Sequence, residues 1–123
     1  MILLDSDVMV DLLRRYSPAV AWFDGLDDVE LVALPGYVVM ELIQGCRNKV
    51  EQDRVLRVVA HYGIVWLSPD DCARALETFT QYHLSHSAGL LDVLIGQTAL
   101  AMDVPLYTFN QKHYRFIPGV RTI

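Results

Sequence analysis

The chain has 123 residues, 53% of them hydrophobic and only two of them cysteine, so a single domain can build its core without disulfides. Ten Lys and Arg against 15 Asp and Glu leave a formal net charge of -5, which argues against a protein that holds nucleic acid by bulk charge. It does not exclude a nuclease, because a site built from several carboxylates raises the acid count by design.

Ile2–Leu4 reads as a short buried strand with no basic start before it, so no secretory leader is expected. No apolar run approaches the roughly 18 residues of a membrane span, and a cytoplasmic location with no membrane partner is expected. Asp5 or Ser6 can cap a helix from near Val8, with Met9, Leu12 and Leu13 on one face and Asp11 and Arg15 as an i,i+4 pair. Ser17-Pro18 breaks it and starts the next helix, Ala19–Leu26, with Val20, Trp22 and Phe23 inward. Asp24, Asp27, Asp28 and Glu30 form a solvated acidic turn. Leu31–Leu34 is a second strand, and Pro35-Gly36 opens a helix over Tyr37–Cys46 that carries Glu41 among apolar residues. Val50–His61 continues helically with Val55, Val58 and Val59 inward, and Ile64–Leu67 is a third strand. Ser68-Pro69-Asp70-Asp71 is a strong helix start, and the helix to about His83 is expected to bury Cys72, Ala75, Leu76 and Phe79. A polar loop, Leu84–Gly89, leads into the stretch GLLDVLIGQTALAMDVPLYTFN. There Leu91, Leu94, Ile95, Thr98, Ala99 and Met102 make a helix stripe, Pro105 stops the helix, and Leu106–Phe109 is a strand ending at Asn110. Pro118-Gly119 turns the chain toward a last short strand near Val120–Ile123. Solid apolar strands separated by helices imply an α/β fold with a parallel sheet of four to five strands, covered on both faces.

Three carboxylates interrupt apolar patterns: Asp5 ends the first strand, Glu41 lies inside an apolar helix, and Asp92 is flanked by Leu91 and Val93. Each has a plainer account, as a helix cap, a partly exposed helix residue and a first-turn acid answering the helix dipole. Together at the C-terminal edge of a parallel sheet, they would repel one another unless a divalent cation sat between them. Oxygen-only ligation favours Mg²⁺ or Mn²⁺ over zinc, with Asp7 and Asn110 as secondary members of the site. Gly96, one turn past Asp92, is expected to leave room for the metal and a phosphate. Such a site suits phosphodiester hydrolysis. His61, His83 and His86 read as surface or capping residues, while His113, beside Lys112, is placed to meet a scissile phosphate.

These residues carry a resemblance. MILLDSDVMVDLLR resembles the opening of the PIN domain, VVMELIQG its second motif, and HSAGLLDVLIGQTALAMDVPLYTFNQKHYRFIPGV its third and fourth. Length and ending resemble the VapC toxins of toxin–antitoxin pairs. The resemblance implies a three-layer α/β/α sandwich and a Mg²⁺- or Mn²⁺-dependent endoribonuclease with Asp5, Glu41 and Asp92 as its catalytic acids. It implies also a homodimer and a VapB-like antitoxin covering the site. Asp7 matches the family's Asn or Asp near the first acid, and Ser6 the hydroxyl residue between them. The chain departs at the fourth acidic position, where it has Asn110, and one ion, with a second recruited alongside RNA, is expected. Ser6, Arg14, Arg15, Arg47, Lys49, Lys112, His113 and Arg115 are the candidates for contact with RNA. Two alternatives stand beside this reading: a PIN-type RNA-processing nuclease without an antitoxin, and a metal-dependent phosphatase using the Asp5-Ser6-Asp7 spacing.

Overall fold

Short apolar strands alternating with helices need burial on both faces, and the computed structural model, which describes residues 1–15, 17–26 and 32–123, provides it. Its strands are β1 (Ile2–Leu4), β2 (Val32–Pro35), β3 (Gly63–Val65) and β4 (Leu106–Tyr107). All pair in parallel in the order β3-β2-β1-β4, with Leu3 opposite Ala33 on one side and Leu106 on the other. Six helices flank the sheet in a three-layer α/β/α sandwich: α1 (Ser6–Leu13), α2 (Ser17–Asp24), α3 (Gly36–Gln44), α4 (Lys49–Val59), α5 (Pro69–His86) and α6 (Leu90–Met102). A 3-10 turn, Gln111–His113, follows β4. In place of a full fifth strand, one parallel bridge joins Leu106 to Thr122.

The strand order decides where a site can form. From β1 the chain winds outward through β2 to β3, then crosses to β4 on the other side of β1. The C-terminal ends of β1 and β4 therefore flank the point where the winding reverses, and open α/β sheets gather ligands at such a crevice. Asp5 directly follows β1, and Thr108 directly follows β4. Beneath them the core is packed tightly, with Leu3, Leu4, Val8, Met9, Leu34, Val38, Ile95 and Leu106 all without solvent exposure.

Local chemistry sets the helix starts. Asp5 caps α1 by accepting from the Ser6 N–H, Asn48 caps α4 through the Glu51 N–H, and Ser68 caps α5 through the Asp71 N–H with Pro69 in the first turn. The second strand is described over Val32–Pro35, and Leu31, with Asp27, Asp28 and Glu30, lies outside the described residues. Three expectations about the helices change. Arg15 sits past the end of α1 at φ 56, so it is not a helical i,i+4 partner for Asp11. Helix α5 runs on to His86, because Tyr82 and His86 pack on Phe116 at 5.3 and 5.4 Å and hold the last turn in helix. Its buried stripe is Ala75, Phe79 and Tyr82 against the core, which turns Cys72 and Leu76 out to solvent.

Candidate functional site

Asp5 is the most constrained of the acids. Its backbone leaves β1 for α1 between two covered layers, and its side chain is only 5% exposed. Burial of a carboxylate is costly unless its oxygens are satisfied. Here Oδ1 accepts from the Ser6 N–H at 2.7 Å, and Oδ2 accepts from the Thr108 hydroxyl and the Tyr114 hydroxyl, both at 2.8 Å. Thr108 and Tyr114 are themselves buried, at 2% and 0%. Neither stood out in the sequence. Thr108 reads as one more β-branched residue of the last strand, and Tyr114 as part of the segment between Asn110 and the Pro118-Gly119 turn.

Asp7, in the first turn of α1, faces the end of β4. Its Oδ2 accepts from the Phe109 N–H and the Asn110 side-chain amide, both at 3.0 Å, and from Thr108 at 3.4 Å. Its Oδ1 is buried and has no hydrogen-bond partner. Burial, then the charge of Asp5, pushes the Asp7 carboxyl above the usual range. Asn110, expected as a secondary ligand, turns its amide N–H onto Asp7.

Glu41 and Asp92 approach from the helices. Glu41 lies in the middle of α3, where the Ser6 hydroxyl donates to its Oε1 at 3.4 Å while also lying 3.5 Å from Asp5 Oδ1. Burial, followed by the charges of Asp5 and Asp92, raises the Glu41 carboxyl to about 7. Asp92, in the first turn of α6, has Oδ1 3.4 Å from the Tyr114 hydroxyl and Oδ2 3.4 Å from His113 Nδ1. Burial raises its carboxyl, and the nearby His113 lowers it. Tyr114, buried among Asp5, Asp92 and Glu41, is pushed far up and stays a hydroxyl. The four acids thus gather around Asp5, with one hydroxyl between it and each of the others: Thr108 toward Asp7, Ser6 toward Glu41 and Tyr114 toward Asp92. Among the described residues, no Lys or Arg side chain bonds to any of them.

The PIN domain model matches residues 2–117. The chain belongs to the PIN domain family. It is 33% identical over 115 residues to ribonuclease VapC10 of Mycobacterium tuberculosis, a match spanning 93% of this chain and 86% of the relative. It is 30% identical over 123 residues to ribonuclease VapC19 of the same organism, spanning 97% and 96%. The chain is therefore a relative of VapC-type ribonuclease toxins. Among solved structures, a toxin–antitoxin complex from Klebsiella pneumoniae superposes with a TM-score of 0.77 at 23% identity, over 98% of this chain and 95% of that one. VapBC2 from Rickettsia felis, bound to a DNA fragment from its promoter, superposes at 0.82 and 20% identity, over 100% and 98%. At such identities the likeness is one of fold.

The acids of this PIN domain suit a hard divalent cation in kind. Every donor is oxygen, the summed charge is negative, and Asp7 Oδ1 is a buried acceptor without a donor. In spacing they are open: among the described residues, no three His, Cys, Asp or Glu side chains stand close enough to enclose an ion as placed. Mutual repulsion among uncompensated carboxylates favours such open spacing, and it adds to burial in raising Glu41.

Two grooves flank the acids. The one on the Glu41 side, about 640 Å³, is lined by Ser6, Glu41, Arg14, Arg47 and Arg54. Arg47 is partly neutralised there by Glu51 at 3.2 Å, and Arg54 donates to the Leu13 carbonyl. The groove on the Asp92 side, about 460 Å³, holds Asp92, His113, Lys112 and Arg115. Arg14, Lys112 and Arg115 therefore lie near the acids, while Arg15 and Lys49 line neither groove. Gly96 does not face the site. A Cβ there would lie 2.9 Å from Ile117 Cδ1, so its small size serves the packing of α6 on the C-terminal segment. Gly89 is the glycine against Asp92, with Oδ2 3.2 Å from where its Cβ would be.

Proposed function

We propose that this PIN domain is a Mg²⁺- or Mn²⁺-dependent endoribonuclease, hydrolysing RNA phosphodiester bonds as the toxin of a type II toxin–antitoxin pair. The observation that carries the reading is the meeting of Asp5, Asp7, Glu41 and Asp92 at the β1/β4 crevice with no cationic side chain of Lys or Arg bonded to them among the described residues. The sequence relationship to the VapC ribonucleases supports the same activity.

Asp5, Glu41 and Asp92 would hold the ion, with Asp7 beside them. When bound, the ion supplies an activated water and offsets negative charge building on the phosphoryl oxygens. Tyr114 keeps its proton and donates it to Asp5 at 2.8 Å, with Asp92 3.4 Å away, so it orients Asp5 and sets the spacing to Asp92. Ser6 sits in the same way between Asp5 and Glu41, and Asn110 holds Asp7. His113 offers a donor at the Asp92 rim for a phosphate oxygen, and Arg14, Lys112 and Arg115 grip the RNA backbone on either side. The acidic chain would steer a basic, VapB-like antitoxin segment into the same crevice, and a homodimer in the cytoplasm is the expected form. A phosphatase built on the Asp5-Ser6-Asp7 spacing would have no need of Glu41, which lies against Asp5 across the Ser6 hydroxyl.

The test is direct. The purified chain is incubated with single-stranded and structured RNA in Mg²⁺, in Mn²⁺ and in EDTA, beside Asp5→Ala and Asp92→Ala. Cleavage in either metal that stops in EDTA and in both variants is expected. Cleavage persisting in EDTA or in both variants would overturn the metal-site reading, and turnover of small phosphomonoesters with RNA left whole would point to a phosphatase. Copurification of a small basic partner that inhibits cleavage would separate the toxin from an RNA-processing nuclease.

A further inference from the structure

Side chains alternate at the end of β4, and the two that follow it go opposite ways. Thr108 turns inward to Asp5, while Phe109 turns outward and is 47% exposed. A large apolar ring half in water forgoes much of the stabilisation that burial would bring, so its exposure calls for another account. Phe109 is not loose. Its N–H donates to Asp7 Oδ2 at 3.0 Å, which ties the residue to the acids. Tyr107 meets its ring nearly edge-on at 5.5 Å, and Trp22 from α2 lies flat on Tyr107 at 3.7 Å with 5° between the planes. An aromatic ladder thus braces Phe109 from the protein side and leaves the ring open on the other.

The groove at its foot, about 570 Å³, is lined by Tyr107, Phe109, Asn110, Gln111, Lys112 and Arg115, with Ile123 at its edge and no acidic side chain. Lys112 and Arg115 are exposed and, among the described residues, form no ion pair. A braced aromatic face beside two free cations matches the needs of a single-stranded nucleotide, whose base offers a π-face and whose phosphates need neutralising. An apolar peptide side chain would also sit on Phe109, but it would leave both cations and both amides unused.

We propose that this groove receives the nucleotide next to the scissile phosphate of a single-stranded RNA, its base stacked on Phe109 and its phosphates held by Lys112 and Arg115. The proposal rests on the ribonuclease reading above and adds a subsite to it. Phe109 carries no polar group to read a base edge, so the subsite favours unpaired over paired RNA rather than one sequence. Larger purine faces stack there more strongly than pyrimidines.

The experiment uses an oligoribonucleotide carrying 2-aminopurine, whose fluorescence is quenched by stacking. Ca²⁺ replaces Mg²⁺ in the binding arm, and Mg²⁺ is used in a parallel cleavage arm. Phe109→Leu is expected to abolish the protein-induced quench, to weaken RNA binding and to raise KM about tenfold with kcat within about twofold, and Phe109→Trp to restore all three. Thermal midpoints of the variants confirm that they are folded. If Phe109→Leu quenches and cleaves like the parent, the subsite is overturned while the ribonuclease reading stands. If the parent cuts no RNA but shows a Phe109-dependent quench, the activity falls and the subsite stands. If Phe109→Leu keeps its RNA values and loses only affinity for a partner protein, the groove is a protein-binding surface and the proposal is overturned.

Discussion

The acid cluster has two unlike halves. On the strand side, Asp5 and Asp7 are held by Ser6, Thr108, Tyr114, Asn110 and the Phe109 backbone, and Asp5 is almost wholly buried. On the helix side, Glu41 and Asp92 are half-buried and, among the described residues, have only polar contacts of 3.4 Å, to Ser6, Tyr114 and His113. Short bonds from buried hydroxyls make the first half a fixed anchor. Sparse contacts leave the second half responsive to whatever positive charge arrives, and Glu41, the acid raised to about 7, belongs to it. A site divided in this way keeps one wall prearranged and obtains the stabilisation of the other from its ligand, so substitutions on the two sides should fail differently.

The largest effect is expected from removing the anchor itself. Asp5→Ala should lower RNA cleavage about a thousandfold, measured as kcat/KM with saturating Mg²⁺. Residual activity near that of the parent would mean that Asp5 only caps α1. Next comes Tyr114→Phe, which takes a donor from Asp5 and Asp92 and leaves the ring in place. It should cost about 10- to 100-fold in activity and raise the Mg²⁺ concentration needed for half-maximal rate. An unchanged metal requirement would mean that the Tyr114 hydroxyl does not link the two halves. Thr108→Val removes one of the donors to buried Asp5 while keeping the shape. It should destabilise the metal-free chain by about 1–3 kcal/mol in denaturant unfolding. The same measurement on Glu41→Gln, at pH 5, should show far less loss.

The smallest effect is the most specific to the helix half. The Glu41 carboxyl is raised from 4.5 to about 7 in the folded, metal-free chain, so the folded state binds more protons than the unfolded one between those values. Its contribution is present below about pH 4.5 and is lost as pH rises through 7. Asp7 and Asp92, also raised, act in the same direction. The thermal midpoint in EDTA should therefore fall across that window, more shallowly in Glu41→Gln, and Mg²⁺ should recover part of the loss above pH 7. A midpoint that climbed with pH in EDTA would contradict the electrostatic account.

Much of this was readable from the residues because the relevant signals are local. Apolar runs bounded by Pro, Gly and Ser mark the strands and helix starts, and acids set into apolar stretches single out Asp5, Glu41 and Asp92. Where the reading missed, the deciding contact was distant. The last turn of α5 depends on Phe116, thirty residues on. Cys72 and Leu76 face solvent because only one stripe of α5 meets the core, and which stripe it is follows from how the helices cross. Gly96 looked like space for a ligand and is instead space for Ile117.

The residues alone specify the α/β class, the parallel sheet and three acids set into apolar patterns, because periodicity and capping act over a few residues. Only the tertiary structure decided that β4 crosses to the far side of β1, and so brings Thr108 and Tyr114 onto Asp5 from more than a hundred positions away. Burial on both sides of β1 is what makes that meeting specific. A carboxylate sealed there must find donors, and the fold supplies two hydroxyl groups that no local pattern announces.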